Sequence, residues 1–342
     1  MPQPITGSVK QTNRRRPSAW ASVCASVRVW CVAFACVCQL MPVVPSARAQ
    51  PTQEAGRAAG RTEARRSVDE LVRRAMNVAC AERELDPQGS APIDEMQARP
   101  SLPLRHAEAV AGAARAERLL PVAKILAAEA LRRLLREYGI RESAGVRAAF
   151  ARLSRVSMIK PDMELRDNAS VVYKELRTIR FGTIFLAGLR SDEGMLGVLA
   201  HELTHVADGA GGSLQALFRG VARRAGSAAN LRISVRRGEE LTCDLVGAYA
   251  VRAYIARTPS VETLARRTAR ALAHNCVEHD YTDRAHLSPR TTMRALLALD
   301  PALARELTGD PFEPPAAHAA PRAPRRANRR AAHPISPRTP RR

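Results

Sequence analysis

Apolar residues recur with a helical period through most of the chain, and one short stretch breaks that rhythm. The first periodic segment, SVDELVRRAMNVACAERE, opens on Ser67 with Glu70 three positions later, the spacing of a capping box. After a proline-bearing break from Pro87 to Pro103, an Ala/Leu/Arg pattern predicts a helix from about His106 to Tyr138, which Pro121 should break or kink. A further helix is predicted near Glu142 to Val156. Between Ser170 and Arg190 the pattern changes: Ile179, Phe181, Ile184 and Phe185 sit in a β-branched and aromatic run that predicts one or two strands. Helical spacing resumes at Ser191-Asp192-Glu193, and Leu196, Leu199, Leu203 and Val206 form an apolar seam that stops at Gly209 to Gly212. Later helices are predicted near Leu214 to Arg224, Gly238 to Arg257, from Val261 onward, and from Pro289 to Leu307. The expected class is α+β, mainly α, with a small antiparallel sheet.

Composition supports a core but not an aromatic one. Apolar residues are 46% of the 342, whereas aromatics are 4%, so Ala, Leu and Val must fill the interior. The formal charge of +21 suggests nucleic acid until its distribution is considered. Residues 1–49 carry six basic residues and no acidic one, and residues 311–342 carry a net +7, which leaves +8 over the central 261. Without aromatic stacking platforms, that mild excess does not describe a specific nucleic-acid surface.

The two ends read as appendages. Basic NRRR from Asn13, the uncharged run Val29 to Val44, and Ala47-Arg48-Ala49 have the order of a secretory signal, so residues 1–49 are expected to leave after Ala49. The alternative is an uncleaved N-terminal membrane anchor. Residues 50–66 read as a linker, and the Pro/Ala/Arg tail 311–342 lacks the apolar content to fold. Between them, 67–160 forms an N-terminal helical region and 161–310 the core of the functional unit. Export would place Cys80, Cys243 and Cys276 in an oxidising compartment, where one disulfide and one free thiol is the simplest outcome; which two pair stays open.

Chemistry concentrates in VLAHELTHVADG, Val198 to Gly209. His201 and His205 stand four apart and project side by side from one helical face, where two imidazoles reach one metal at about 2.0–2.1 Å. Glu202 sits one position round, beside the open coordination position, as a base acting on a metal-activated water must. Chance would give roughly 0.01 such matches in a chain of this length. A catalytic zinc site needs a third protein ligand. Position 211 is Gly, which excludes a ligand ten residues after the first histidine, and Asp208 lies only one turn past His205. RRGEELTCDLVGAYA offers Glu240 as the ligand and Asp244, four on, as acceptor for a ligating histidine's N–H; Glu239 is the lesser candidate.

EGMLGVLAHELTHV followed by EELTCDLVGAYA resembles the gluzincin zinc metallopeptidases that include the HtpX heat-shock protease, the CAAX prenyl endopeptidase and soluble periplasmic relatives. Glu240, Asp244 and Gly247 match the second-helix motif, and AHLSPRTTMRALLAL, with His286 and Arg294, echoes a third element in which Leu287 stands where the family has proline. The resemblance spans roughly residues 165–300. It implies a gluzincin-like metallopeptidase domain with one Zn2+ per chain held by His201, His205 and Glu240, Glu202 as catalytic base and His286 as a catalytic histidine. It also implies that a strand near Thr183 to Leu186 is the sheet edge on which an extended substrate pairs. His274 and His279 rival His286 for the last role.

The expected function is therefore an exported, periplasmic or secreted zinc endopeptidase acting on protein or peptide substrates. The alternatives are a non-proteolytic, chaperone-like zinc module and an envelope-binding protein. The latter would use the basic tail on anionic membrane or polymer.

Overall fold

The computed structural model describes residues 67–81, 98–273 and 284–310 together with positions 276, 282 and 312. The expected leader, the linker, most of the basic tail, His274 and His279 lie outside the described residues. The described chain is mainly helical around a small mixed sheet. Helix α1 (67–81) precedes α2 (Ala107–Glu137) and α3 (Ala144–Arg155). Strands β1 (Met158–Asp162), β2 (Ala169–Val171) and β3 (Thr178–Gly182) follow, then α4 (Thr183–Gly188) and α5 (Asp192–Asp208). The remainder is α6 (Gln215–Ala229), α7 (Val235–Arg257), α8 (Leu264–Leu272), α9 (Pro289–Leu299) and α10 (Pro301–Thr308).

Four sequence expectations need correction. Helix α2 runs unbroken through Pro121, whose exposed position leaves the carbonyl one turn back, at exposed Glu117, open to water. The sheet is mixed, not antiparallel: β3 is central, parallel to β1 with Met158 opposite Thr178 and antiparallel to β2 with Ala169 opposite Phe181. Residues 183–186 are no strand but the start of fully buried α4, so the sheet edges are β1 and β2. The last predicted helix is two, divided where Asp300 ends α9 and caps α10 by accepting from the backbone N–H groups of Ala302 and Leu303.

Helix α5 sits at the centre. Met195, Leu196, Leu199, Leu203 and Val206 are inaccessible to solvent, and α2, α3, α7 and α8 pack around them. Both ends of α5 are fixed by specific groups. Ser191 Oγ accepts from Gly194 N–H at 3.0 Å, and buried Glu193 in the first turn accepts from Arg267 Nε at 2.7 Å, which clamps α8 to this end. At the other end the Arg152 guanidinium donates to the carbonyls of Val206, Ala207 and Asp208 and to Ser213 Oγ, satisfying orphan acceptors of the last turn. The chain leaves through Gly209 at φ 61°, where a Cβ would also lie 2.7 Å from Arg152 Nε, so both backbone and space select glycine.

Helices α5 and α7 approach closely where Gly197 faces Gly247. A Cβ on Gly247 would stand 2.9 Å from the Gly197 carbonyl oxygen, so this crossing distance requires the missing side chain. A disulfide joins Cys80 on α1 to Cys276 between α8 and α9, leaving Cys243 as the free thiol, buried, among the described residues. No described helix is long and apolar enough to cross a membrane.

Candidate metal centre

The centre is built on two helices. From α5 come His201, Glu202 and His205; from α7 come Glu239, Glu240, Cys243 and Asp244. Burial of the Leu196–Val206 seam turns the two histidines toward α7, and their spacing of one turn brings the imidazoles together at a ring-centroid distance of 5.1 Å.

Each imidazole is oriented from behind by a carboxylate. His201 Nδ1 donates to Asp244 Oδ1 at 2.9 Å, and His205 Nδ1 donates to Glu239 Oε1 at 3.1 Å. Because an ionised carboxylate only accepts, Nδ1 must carry a proton, so Nε2, facing inward, is the nitrogen each ring can offer to a metal once its own proton leaves. The two Nε2 atoms lie 3.2 Å apart, and Glu240 Oε2 is 3.4 Å from the first and 3.3 Å from the second. Three tetrahedral ligands around one ion at about 2.0–2.1 Å stand about 3.3–3.4 Å from each other. The Nε2, Nε2, Oε2 triangle has that size.

A second grouping shares the same histidines. His201, His205 and Cys243 offer ligand atoms within 4.8 Å of one another, so this group could hold a metal ion. The carboxylate of Glu240 is at ligand spacing already, whereas the thiol is bounded only by the wider figure; the tighter triangle is the better fit for a small divalent ion.

Electrostatics point the same way. Burial opposes a charged His201, yet Asp244, Cys243 and Glu240 beside it raise its pKa well above the usual imidazole value. Burial likewise opposes charge on His205, and Cys243, Glu239 and Glu240 outweigh it, again raising the pKa. Burial alone would raise the Glu240 pKa; contacts with His201, His205 and His286 instead hold it far below the ordinary carboxylate range. Without metal, protons occupy the pocket between carboxylates and rings, and a cation can replace them. Glu202 differs: burial pushes its carboxyl above the usual value, opposed by the neighbouring histidines, which suits a group that must take and return a proton. Burial also pushes the Cys243 thiol up.

The remaining candidates divide. His286 Nε2 reaches to 3.5 Å from Glu240 Oε2, although its side chain is 57% exposed. Arg294 points away and pairs with Asp69 on α1 at 3.1 Å. Asp208 accepts from Leu214 N–H at 2.6 Å and from Gln215 Nε2 at 3.4 Å, so it shapes the loop after α5. Two participants carried no motif signal. Glu239 was the lesser ligand candidate and instead orients His205, and Cys243, three residues past Glu240 on the same face of α7, lies inside the cluster. The available signal was only that Cys243 lies one helical turn past both Glu239 and Glu240.

No protein-family model, curated protein or solved structure matches this chain.

Proposed function

We propose that the protein is a zinc-dependent endopeptidase of gluzincin type, acting on exported protein or peptide chains. One observation carries this reading: two inward-facing imidazole nitrogens and a carboxylate oxygen form a triangle with sides of 3.2, 3.3 and 3.4 Å, beside the buried carboxyl of Glu202. His201, His205 and Glu240 would hold the ion; the two nitrogens and one oxygen suit Zn2+ and leave a fourth position open. When bound, zinc supplies Lewis acidity and acidifies a water. Glu202 takes the proton from the attacking water and returns it to the leaving amine, for which its raised pKa fits it. Asp244 and Glu239 keep the ring tautomers fixed while charge develops. His286, close to Glu240 and partly in solvent, is placed to donate toward an oxyanion. An extended substrate finds its pairing partner in edge strand β2, which packs against α5, in place of the misread segment at 183–186.

The test is Glu202→Gln. The variant should retain one zinc per chain and lose cleavage of an unfolded protein such as casein by about 10³-fold or more. Undiminished cleavage by the variant would sink the mechanism.

The position of Cys243 favours one other reading, a closed metal site without catalysis. Cobalt substitution separates the two. A thiolate-to-cobalt charge-transfer band in the near ultraviolet means Cys243 closes the shell, and its absence leaves the position open for water.

A further inference from the structure

The crossing of α5 and α7 also opens a cavity of about 650 Å³ whose lining includes His201 and Glu240, two corners of the metal triangle. His201, Glu202, Glu240 and His286 line it together with residues that have no metal chemistry. Gly197 and Val198 lie one turn before His201 on α5, and Gly247, Ala248 and Val251 lie one to two turns beyond Asp244 on α7. The cavity therefore extends away from the ligands past the point where Gly197 meets Gly247. Its far walls are Leu272 of α8, Leu296 of α9 and Leu303 of α10. Glycines at the crossing and alanines at 248 and 271 keep it open.

Protein interiors leave few voids larger than a water, so an opening of this size is not a packing residue. Its volume falls within the range of about 300–1,000 Å³ typical of ligand sites. Its walls carry aliphatic side chains continuous with the groups that would act on a scissile bond. Acidic and basic side chains occur on only one stretch of the non-metal lining, where Glu164, Arg166 and Asp167 follow β1 and offer both signs. A charged side chain entering the apolar depth would leave its hydration without a partner to replace it.

We propose that this cavity receives a substrate side chain adjoining the scissile bond, and that the substrates are polypeptides with a large apolar residue there. The assignment rests on the peptidase reading and adds the substrate class to it. Leu, Phe and Met are accommodated; Gly leaves the space unfilled, and Asp or Lys enters at a loss. Removing such a side chain from water favours binding over Gly by about 10- to 100-fold, expressed in kcat/KM.

The experiment uses the zinc-loaded mature chain and a peptide library randomised at both residues flanking one cleavable bond. At one of these positions, Leu, Phe and Met should exceed Gly and Asp by about 10-fold or more in kcat/KM. Ala248→Phe and Thr292→Phe add bulk from two different helices, α7 and α9, at half-buried positions that line the cavity. Each should shift the preference toward Ala and Gly while zinc content stays at one per chain, and either suffices if the other misfolds. Equal rates for apolar and Gly peptides overturn the proposal. So does an unchanged preference in a folded, zinc-loaded variant. Fluorescence anisotropy of labelled peptides on Glu202→Gln reads occupancy without cleavage. Apolar-selective binding there, with no peptide cut by the unmutated chain, refutes the peptidase reading and leaves only the cavity's selectivity for apolar side chains standing. Cleavage without apolar selectivity does the reverse.

Discussion

The two sides of the candidate metal centre are held by different means. On one side, every donor lies on α5 or α7, two long helices locked by a glycine-to-glycine crossing and by a buried seam of Leu and Val. On the other side, His286 arrives from non-helical residues just before α9, in a part of the chain that the Cys80–Cys276 disulfide and the cap that Ser288 places on α9 help to tie down. Helical placement brings the donor atoms to near-equal separations of 3.2, 3.3 and 3.4 Å, whereas the other side places His286 close by but leaves it 57% exposed. The difference teaches a division of labour. The helix pair should determine whether metal is bound, and the tethered segment should affect only what happens once it is.

The sharpest way to break that comparison is to remove a donor from the helix pair. Glu240→Ala deletes the third corner of the triangle and should lower zinc affinity by more than the 10–100-fold that loss of an outer partner costs. Asp244→Ala removes only the group behind His201 and should fall within that 10–100-fold range. Metal analysis after dialysis against a competing chelator checks both. Full zinc occupancy in Glu240→Ala would transfer the third-ligand role to Cys243, and the double variant with Cys243→Ala would then be the metal-free one.

Much of the helix pair was legible in the sequence, and the physical reason is local. Four-residue spacing fixes which side chains share a face, so His201 with His205 and Glu240 with Asp244 could be paired without knowing the fold. What spacing cannot supply is the register of one helix against the other. That register makes Glu239 the partner of His205 and brings Cys243 within the cluster, and it depends on Gly197 meeting Gly247 across 50 residues of sequence. The sheet was misread for a related reason. Ile179 to Phe185 reads as one stretch rich in β-branched and aromatic residues, but its strand ends at Gly182, and the buried residues after it form a helix that periodicity cannot separate from a buried strand. Strand β1 was missed because Met158–Asp162 is short and contains Pro161, a residue a sheet tolerates only at an edge, which is where β1 lies. The disulfide could be counted from the cysteines but not assigned, since its two ends are 196 residues apart.

A second test sharpens the comparison through pH. In the metal-free protein the His201 and His205 pKa values are raised, so both rings still hold protons at neutral pH that a metal must displace. Zinc affinity should therefore rise with pH through neutrality, by up to about 100-fold per unit if two protons leave. Folding linkage has the opposite sign. Raised histidine pKa values contribute stability to the metal-free chain that is full below the unfolded value of about 6.5 and is lost as pH climbs through the folded values. Zinc should accordingly add more thermal stability at pH 8 than at pH 6. Calorimetric titration in buffers of different ionisation enthalpy reads the protons directly, and a pH-independent affinity between 6 and 8 would show that the carboxylates do not hold the rings charged.

The smallest expected change at the metal comes from the tethered side. Cys80→Ser with Cys276→Ser removes a link that closes a very long loop and should lower unfolding stability by about 2–4 kcal/mol. The disulfide joins α1 to the chain between α8 and α9 rather than to α5 or α7, so zinc occupancy of the folded variant should match that of the unmutated chain. His286 should feel the change, because Cys276 anchors the chain ten residues before it and Thr282, which donates to the His286 carbonyl at 2.8 Å, lies between them. The expected signature is a fall in kcat of about tenfold with zinc content intact. His286→Ala should show the same split without the stability loss. If zinc content fell with the disulfide, the two sides would be one mechanical unit, and the division drawn between helix-borne donors and the tethered histidine would be wrong.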